Sequence, residues 1–168
     1  YEQYQTFSQR DMSAVEVVYL FADGVYESEK RYTDNQTLLC AWAICADGTK
    51  QLLHIAAMES ESRAGWEMFF DDMLQRGLRQ PLLVISDGAK GIHAAIERSF
   101  PKADRQRCLA HKLRNIQAKL PREVAQLILE QVKQVYYAAD RTSGETLAAQ
   151  FIERHASVYP AAVQCFSE

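Results

Sequence analysis

Residues 37–46 and 51–58 are two strand-like apolar runs, and between them stands Asp47-Gly48-Thr49-Lys50. An Asp-Gly step flanked by apolar alternation signals a tight hairpin, so these two strands are expected to run antiparallel. No other feature constrains the fold as strongly. A doubly wound sheet would need a parallel crossover at this point, and that takes a much longer connection. The chain also lacks the Gly-rich signatures G-x-G-x-x-G and G-x-x-x-x-G-K-[ST] of nucleotide-binding folds. With the β-branched and aromatic run at residues 15–22 in front of it, the hairpin completes a three-strand antiparallel meander.

After the meander the apolar period changes to helical. Trp66, Phe69, Phe70, Met73 and Leu74 share one face of a helix that starts after Ser62 and stops at Gly77. Residues 82–86 form a strand, and Ile92, Ala95, Ile96 and Phe100 mark a helix ended by Pro101. Residues 104–108 are short enough for an edge strand. From Leu109 onward the pattern is helical, with Leu109, Leu113, Ile116 and Leu120 in register, then residues 122–139. A Thr142-x-x-Glu145 capping box opens a further helix that stops near Pro160. This order, a meander leading into β-α-β-α-β, predicts an α/β chain with a ribonuclease H-like mixed sheet, followed by an all-helical insertion. The expected division is a core over residues 1–120 and a helical insertion region over residues 121–168, packed together as one unit.

Two more Asp-Gly steps close apolar strands: Asp23-Gly24 after the first run, and Asp87-Gly88 after Pro81-Leu-Leu-Val-Ile-Ser. Carboxylate oxygens presented at strand ends suit Mg²⁺ or Mn²⁺ and a phosphoryl-transfer site. On the expected fold the two aspartates fall on the first and fourth strands. Each has a plainer reading: Asp87 as the N-cap of the helix behind it, Asp23 as a turn residue. The long buried run before Asp23 and its pairing with Asp87 favour metal ligation for both. Lys90, in the first turn of the helix after Asp87, is either a solvated lysine or a phosphate contact. His54 and His93 stand alone and are expected to be satisfied or surface histidines.

The chain has 168 residues, 48% of them hydrophobic, and a formal net charge of −3, which fits a globular protein with a sizeable core and gives no global basic footprint. Contact with a polyanion must come from a local patch. Residues 102–122 supply one, with Lys102, Arg105, Arg107, Lys112, Arg114, Lys119 and Arg122 against Asp104. His111 and Arg114, three apart, share one helix face, while Leu109, Leu113 and Ile116 take the other. A solvated face would look similar, and phosphate-backbone contact is the sharper alternative. No apolar run of about 18 residues exists and the N-terminus has no signal core, so no membrane partner and a cytoplasmic, nucleoid-associated location are expected. Cys40, Cys45, Cys108 and Cys165 show no C-x-x-C spacing and are expected to be reduced thiols. Cys108-x-x-His111 lacks the second ligand pair that a zinc site needs.

Several blocks together carry a family resemblance. They are Tyr19-Leu-Phe-Ala-Asp23-Gly-Val-Tyr26, Ser62-Arg-Ala-Gly-Trp66 through Arg76-Gly-Leu78, and Ser86-Asp87-Gly-Ala-Lys90-Gly91. Phe100-Pro through Gln106-Arg-Cys108-Leu-Ala-His111-Lys-Leu-Arg114-Asn115, and Tyr159-Pro160-Ala-Ala-Val163, complete them. In this order the chain resembles the Mutator-type transposases of bacterial insertion sequences. The resemblance implies metal-dependent cleavage and strand transfer of DNA, at transposon ends and target, by two aspartates and a glutamate. Asp23 and Asp87 match the first two, and two Mg²⁺ or Mn²⁺ ions roughly 4 Å apart would lie between the carboxylates. The glutamate belongs to a final helix beyond the helical insertion. The chain is therefore expected to be a catalytic-core fragment, inactive alone, from a parent that acts as a homodimer or higher oligomer. The resemblance gives His111 a supporting or DNA-contacting role, with Arg107, Lys112, Arg114 and Lys90 as further nucleic-acid-facing or supporting residues. The alternatives are a non-catalytic DNA-binding or dimerisation remnant, or a ribonuclease H-like nuclease.

Overall fold

In a computed structural model the described residues are 2–26 and 37–168. They form two compact units, residues 1–107 and 108–168, and the polar, charged segment 27–36 that follows the first strand in the sequence lies outside the described residues.

The first unit contains α1 (Glu2–Gln9), β1 (Val17–Tyr26), β2 (Thr37–Cys45), β3 (Lys50–Met58), α2 (Arg63–Gln75), β4 (Leu83–Ser86), α3 (Lys90–Ser99) and β5 (Asp104–Arg107). The five strands make one sheet in the order β3-β2-β1-β4-β5. β1, β2 and β3 pair antiparallel, while β4 pairs parallel with β1 and β5 with β4. This is the ribonuclease H-like topology that the hairpin predicts. Gly48 takes φ +81° in that hairpin, a conformation open to glycine without steric cost.

Side-chain alternation sorts the sheet into two faces. Leu20, Ala22, Leu39, Ala41, Ala43, Leu53 and Val84 are buried and share a cluster with Trp66, Phe69, Phe70 and Met73 of α2 and Ile92, Ala95 and Ile96 of α3. The alanines on the strands leave room for the bulky aromatics of α2. Trp66 packs on Phe70 with centroids 5.6 Å apart, and Phe70 meets Phe100 edge-on at 5.2 Å. These rings are core, as their helical spacing predicts. Ser62 caps α2 by accepting from Gly65 N at 3.1 Å. The helix ends in a Schellman turn, Leu78 N to Met73 O at 3.0 Å and Gly77 N to Leu74 O at 3.0 Å.

The β2–β3 ladder shifts register at Ala41/Trp42, where Leu53 is the extra residue on β3. A bulge frees backbone carbonyls, which need other donors. Arg10, just past α1, donates to Leu52 O and Leu53 O, and Tyr4 of α1 donates to Ile55 O at 3.3 Å. The short α1 has no apolar repeat that announces it, and none of its residues is buried.

Three boundaries differ from expectation. β1 does not end at Asp23 but runs on to Tyr26, because its pairing with β2 continues through Asp23↔Cys40 to Tyr26↔Thr37. The last long helix is capped by Asp140, which accepts from Ser143 N at 2.8 Å; Thr142 is already inside it. Pro160 begins a helix instead of merely stopping one, as proline's fixed φ allows at N1.

The second unit holds α4 (Leu109–Gln117), α5 (Arg122–Tyr136), α6 (Arg141–His155) and α7 (Pro160–Ser167). Its own core gathers Ile116, Ile128, Val132, Phe151, Ala162 and Val163. His155 contributes a 2.8 Å hydrogen bond with Gln131.

Candidate active site

The β1–β4 ladder pairs Tyr19 with Leu83, Leu20 with Val84 and Phe21 with Ile85. Asp23 stands two residues beyond Phe21 on β1, and Asp87 two beyond Ile85, just past the end of β4. Neighbouring strands lie about 4.8 Å apart, so the fold brings both carboxylate-bearing positions to one end of its central strand pair. Asp23 is exposed and belongs with Tyr19 and Phe21 on the face turned away from the buried Leu20 and Ala22.

Asp87 follows the last residue of β4. Its Oδ1 accepts from Ala89 N at 2.9 Å, an Asx turn that holds the carboxylate at the mouth of α3. Ala89, not Asp87, occupies the N-cap position of that helix, and it makes no side-chain cap. Asp87 is thus anchored by one oxygen without being used up as a cap.

Each aspartate is followed by a glycine over which another side chain lies. A Cβ on Gly24 would collide with the Glu61 carboxylate. A Cβ on Gly88 would stand 2.5 Å from Arg107 Nε, and Arg107 Nη2 reaches Gly88 O at 3.5 Å. Gly88 also has φ +81°. Arg107 ends β5 opposite Ser86, so sheet pairing alone delivers it beside Asp87. Lys90 is exposed at the start of α3.

Cys40 faces Asp23 across the β1–β2 ladder. Burial, with the Asp23 carboxylate adding to it, pushes the Cys40 thiol above its ordinary pKa. Cys40 therefore stays a protonated thiol and leaves the donor set to oxygen. All four cysteines are free. Two carboxylates at one end of the strand pair fit a hard divalent cation in the chemistry of their atoms. Among the described residues no group of three or more His, Cys, Asp or Glu side chains is arranged to hold a metal ion.

In the second unit, α4 carries an exposed Arg114, a half-buried His111 and a buried Lys112, 6% accessible. A phosphate approaching this helix would meet Arg114 first. Cys108 stands at the N-cap position of α4 without capping it. The contact of Glu61 with Gly24 was not legible in the sequence. An acid just ahead of a helix start reads as a favourable charge at a helix N-terminus, and its meeting with Gly24 depends on how the chain returns over β1.

The model for the family described as Transposase, Mutator family, matches residues 1–168. The chain belongs to that family. Among curated members, the transposase for insertion sequence element IS6120 of Mycolicibacterium smegmatis is 33% identical over 159 residues, which cover 95% of this chain and 49% of that protein. The transposase for IS905 of Lactococcus lactis is 36% identical over 138 residues, 82% of this chain and 35% of that protein. This member of the Mutator family thus spans half or less of the length of these relatives. Among solved structures, the HTLV-2 integrase catalytic core domain in complex with magnesium overlays with a TM-score of 0.39 at 12% identity, over 70% of this chain and 84% of that one. A likeness that low adds nothing to what the strand order shows.

Proposed function

We propose that this chain is the catalytic-core segment of a DNA transposase, with Asp23 and Asp87 as the two metal-holding carboxylates of an Asp-Asp-Glu site. The observation that carries the reading is that Asp23 and Asp87 each stand two residues beyond the last pair of the parallel β1–β4 ladder, Phe21↔Ile85. Mg²⁺ or Mn²⁺, when bound, would activate the attacking water or 3′-hydroxyl and stabilise the leaving oxygen. Asp23 offers its oxygens from a rigid central strand, and Asp87 from an Asx turn that fixes its direction. Arg107 beside Gly88 and Lys90 at the helix mouth would receive phosphates of the DNA backbone, and in the second unit Arg114 and His111 of α4 would serve as phosphate contacts of their own. The third carboxylate, on this reading, comes from outside residues 1–168. The full-length parent would join transposon ends to target DNA as a homodimer or larger assembly.

Calorimetric titration with Mn²⁺ at low ionic strength tests the metal assignment. Saturable binding is expected in the parent chain, and its loss in both Asp23→Asn and Asp87→Asn. Unchanged binding in either variant would remove that aspartate from the site.

A further inference from the structure

Arg10 is the cation that holds the amino-terminal helix to the sheet. Its guanidinium donates to Leu52 O and Leu53 O at the β3 bulge and lies over the Phe7 ring of α1, 4.2 Å from the ring centre. Tyr4 adds one 3.3 Å hydrogen bond to Ile55 O, and no residue of α1 is buried. Just beyond Arg10 the chain is pinned to the core, where Met12 is fully buried and its N–H donates to Arg76 O at 2.7 Å. α1 is thus a strap docked through few contacts, with its anchor at Met12.

His54 follows the bulge directly, and its buried ring has charges on two sides. α2 presents Asp72 and Arg76, which pair with each other at 2.6 Å, and Asp72 is also 3.2 Å from His54 Nε2. The strap presents Arg10. His54 Nδ1, the atom that would take a proton, is buried with no hydrogen-bond partner among the described residues. A protonated ring would make three cations around one carboxylate, with nothing to receive the new N–H. Arg76 keeps its carboxylate, four residues away on the same helix, and His54 is fixed in the β2–β3 ladder. Arg10 has neutral partners alone among the described residues, and burial and the Arg76 charge already act against its own. Arg10 is therefore the cation that can leave.

We propose that the strap is an acid-released latch: protonation of His54 expels Arg10 from the β3 bulge, α1 swings away from its anchor at Met12, and the β3 edge opens while the core stays folded. The released state has one cation fewer beside His54 and admits water to Nδ1, so it binds the proton more readily. Falling pH therefore favours release. The carbonyls of Leu52, Leu53 and Ile55 are then open to a second strand.

Nuclear magnetic resonance across a titration into acid tests the latch, with the His54 ring reporting protonation, the amides of residues 4–9 the strap, and those of Leu20 and Val84 the core. In the parent chain the strap amides should move together with the His54 ring, near pH 4, with the core amides unmoved. His54→Gln should keep α1 docked through that range. Arg10→Gln should release α1 at every pH and, by linkage, raise the His54 midpoint by about half a pH unit or more. Should His54→Gln fail to fold, the midpoint shift in Arg10→Gln decides alone. Strap amides that stay put while His54 titrates, release that persists in His54→Gln, or a His54 midpoint unmoved in Arg10→Gln each overturns the latch. Loss of the Leu20 and Val84 resonances at the same midpoint also overturns it, since that is global unfolding.

Discussion

His54 shows how one buried side chain sets a pH limit for the first unit. It is 5% accessible, stacks on Phe69 with centroids 4.5 Å apart, and its Nε2 lies 3.2 Å from Asp72 Oδ2, which also accepts from Arg76 Nε. Burial pushes its pKa down from 6.5 to about 4; Asp72 opposes the shift, and the cations of Arg76 and Arg10 add to it. At neutral pH the ring is therefore uncharged, with Nε2–H donating to Asp72. The folded-state pKa lies below the unfolded one, so this stability is complete above pH 6.5 and is lost as pH falls towards about 4. We expect unfolding free energy to drop by on the order of 2 kcal/mol across that window, measured by denaturant titration, with the slope flattened in His54→Gln. From sequence His54 showed only as a lone histidine, because its partners come from α2 and from the turn after α1. Asp23 and Asp87 stand out in the sequence for the opposite reason. Each follows a long apolar run, and a carboxylate ending such a run needs a purpose that local chemistry alone can state.

At the scale of elements, the sequence pattern located the described strands of the first unit; α1 had no apolar repeat to announce it, and the other errors fell where pairing or capping decides. β1 outruns its apolar stretch because β2 keeps pairing with it, a tertiary fact that no window of sequence contains. The start of α6 was misplaced because Thr142-x-x-Glu145 and Asp140 compete for one cap. Asp140 wins by standing two residues earlier with an extended backbone, φ −151° and ψ 170°. Replacing Asp140 by alanine should therefore lower helical content and melting temperature, read by circular dichroism, whereas Thr142→Ala should leave both close to the parent. The reverse result would restore the cap to Thr142.

For the whole molecule, a net charge of −3 makes general attraction to DNA weak, so the backbone contact proposed above has to come from a few cations. Each phosphate neutralised contributes about 0.9 to the slope of log affinity against log salt. Arg107→Gln and Arg114→Gln should each lower that slope by close to one, in fluorescence anisotropy with duplex DNA. An unchanged slope would take that arginine out of the interface. The sheet itself has a further consequence for how the chain stays dispersed. Open strand edges invite a second chain to add to them. β5 closes one side with Asp104-Arg105-Gln106-Arg107, exposed at every position. On the other side, three β3 carbonyls are already taken by Tyr4 and Arg10. The amino-terminal helix, which buries nothing of its own, thus works as a guard against strand-to-strand aggregation.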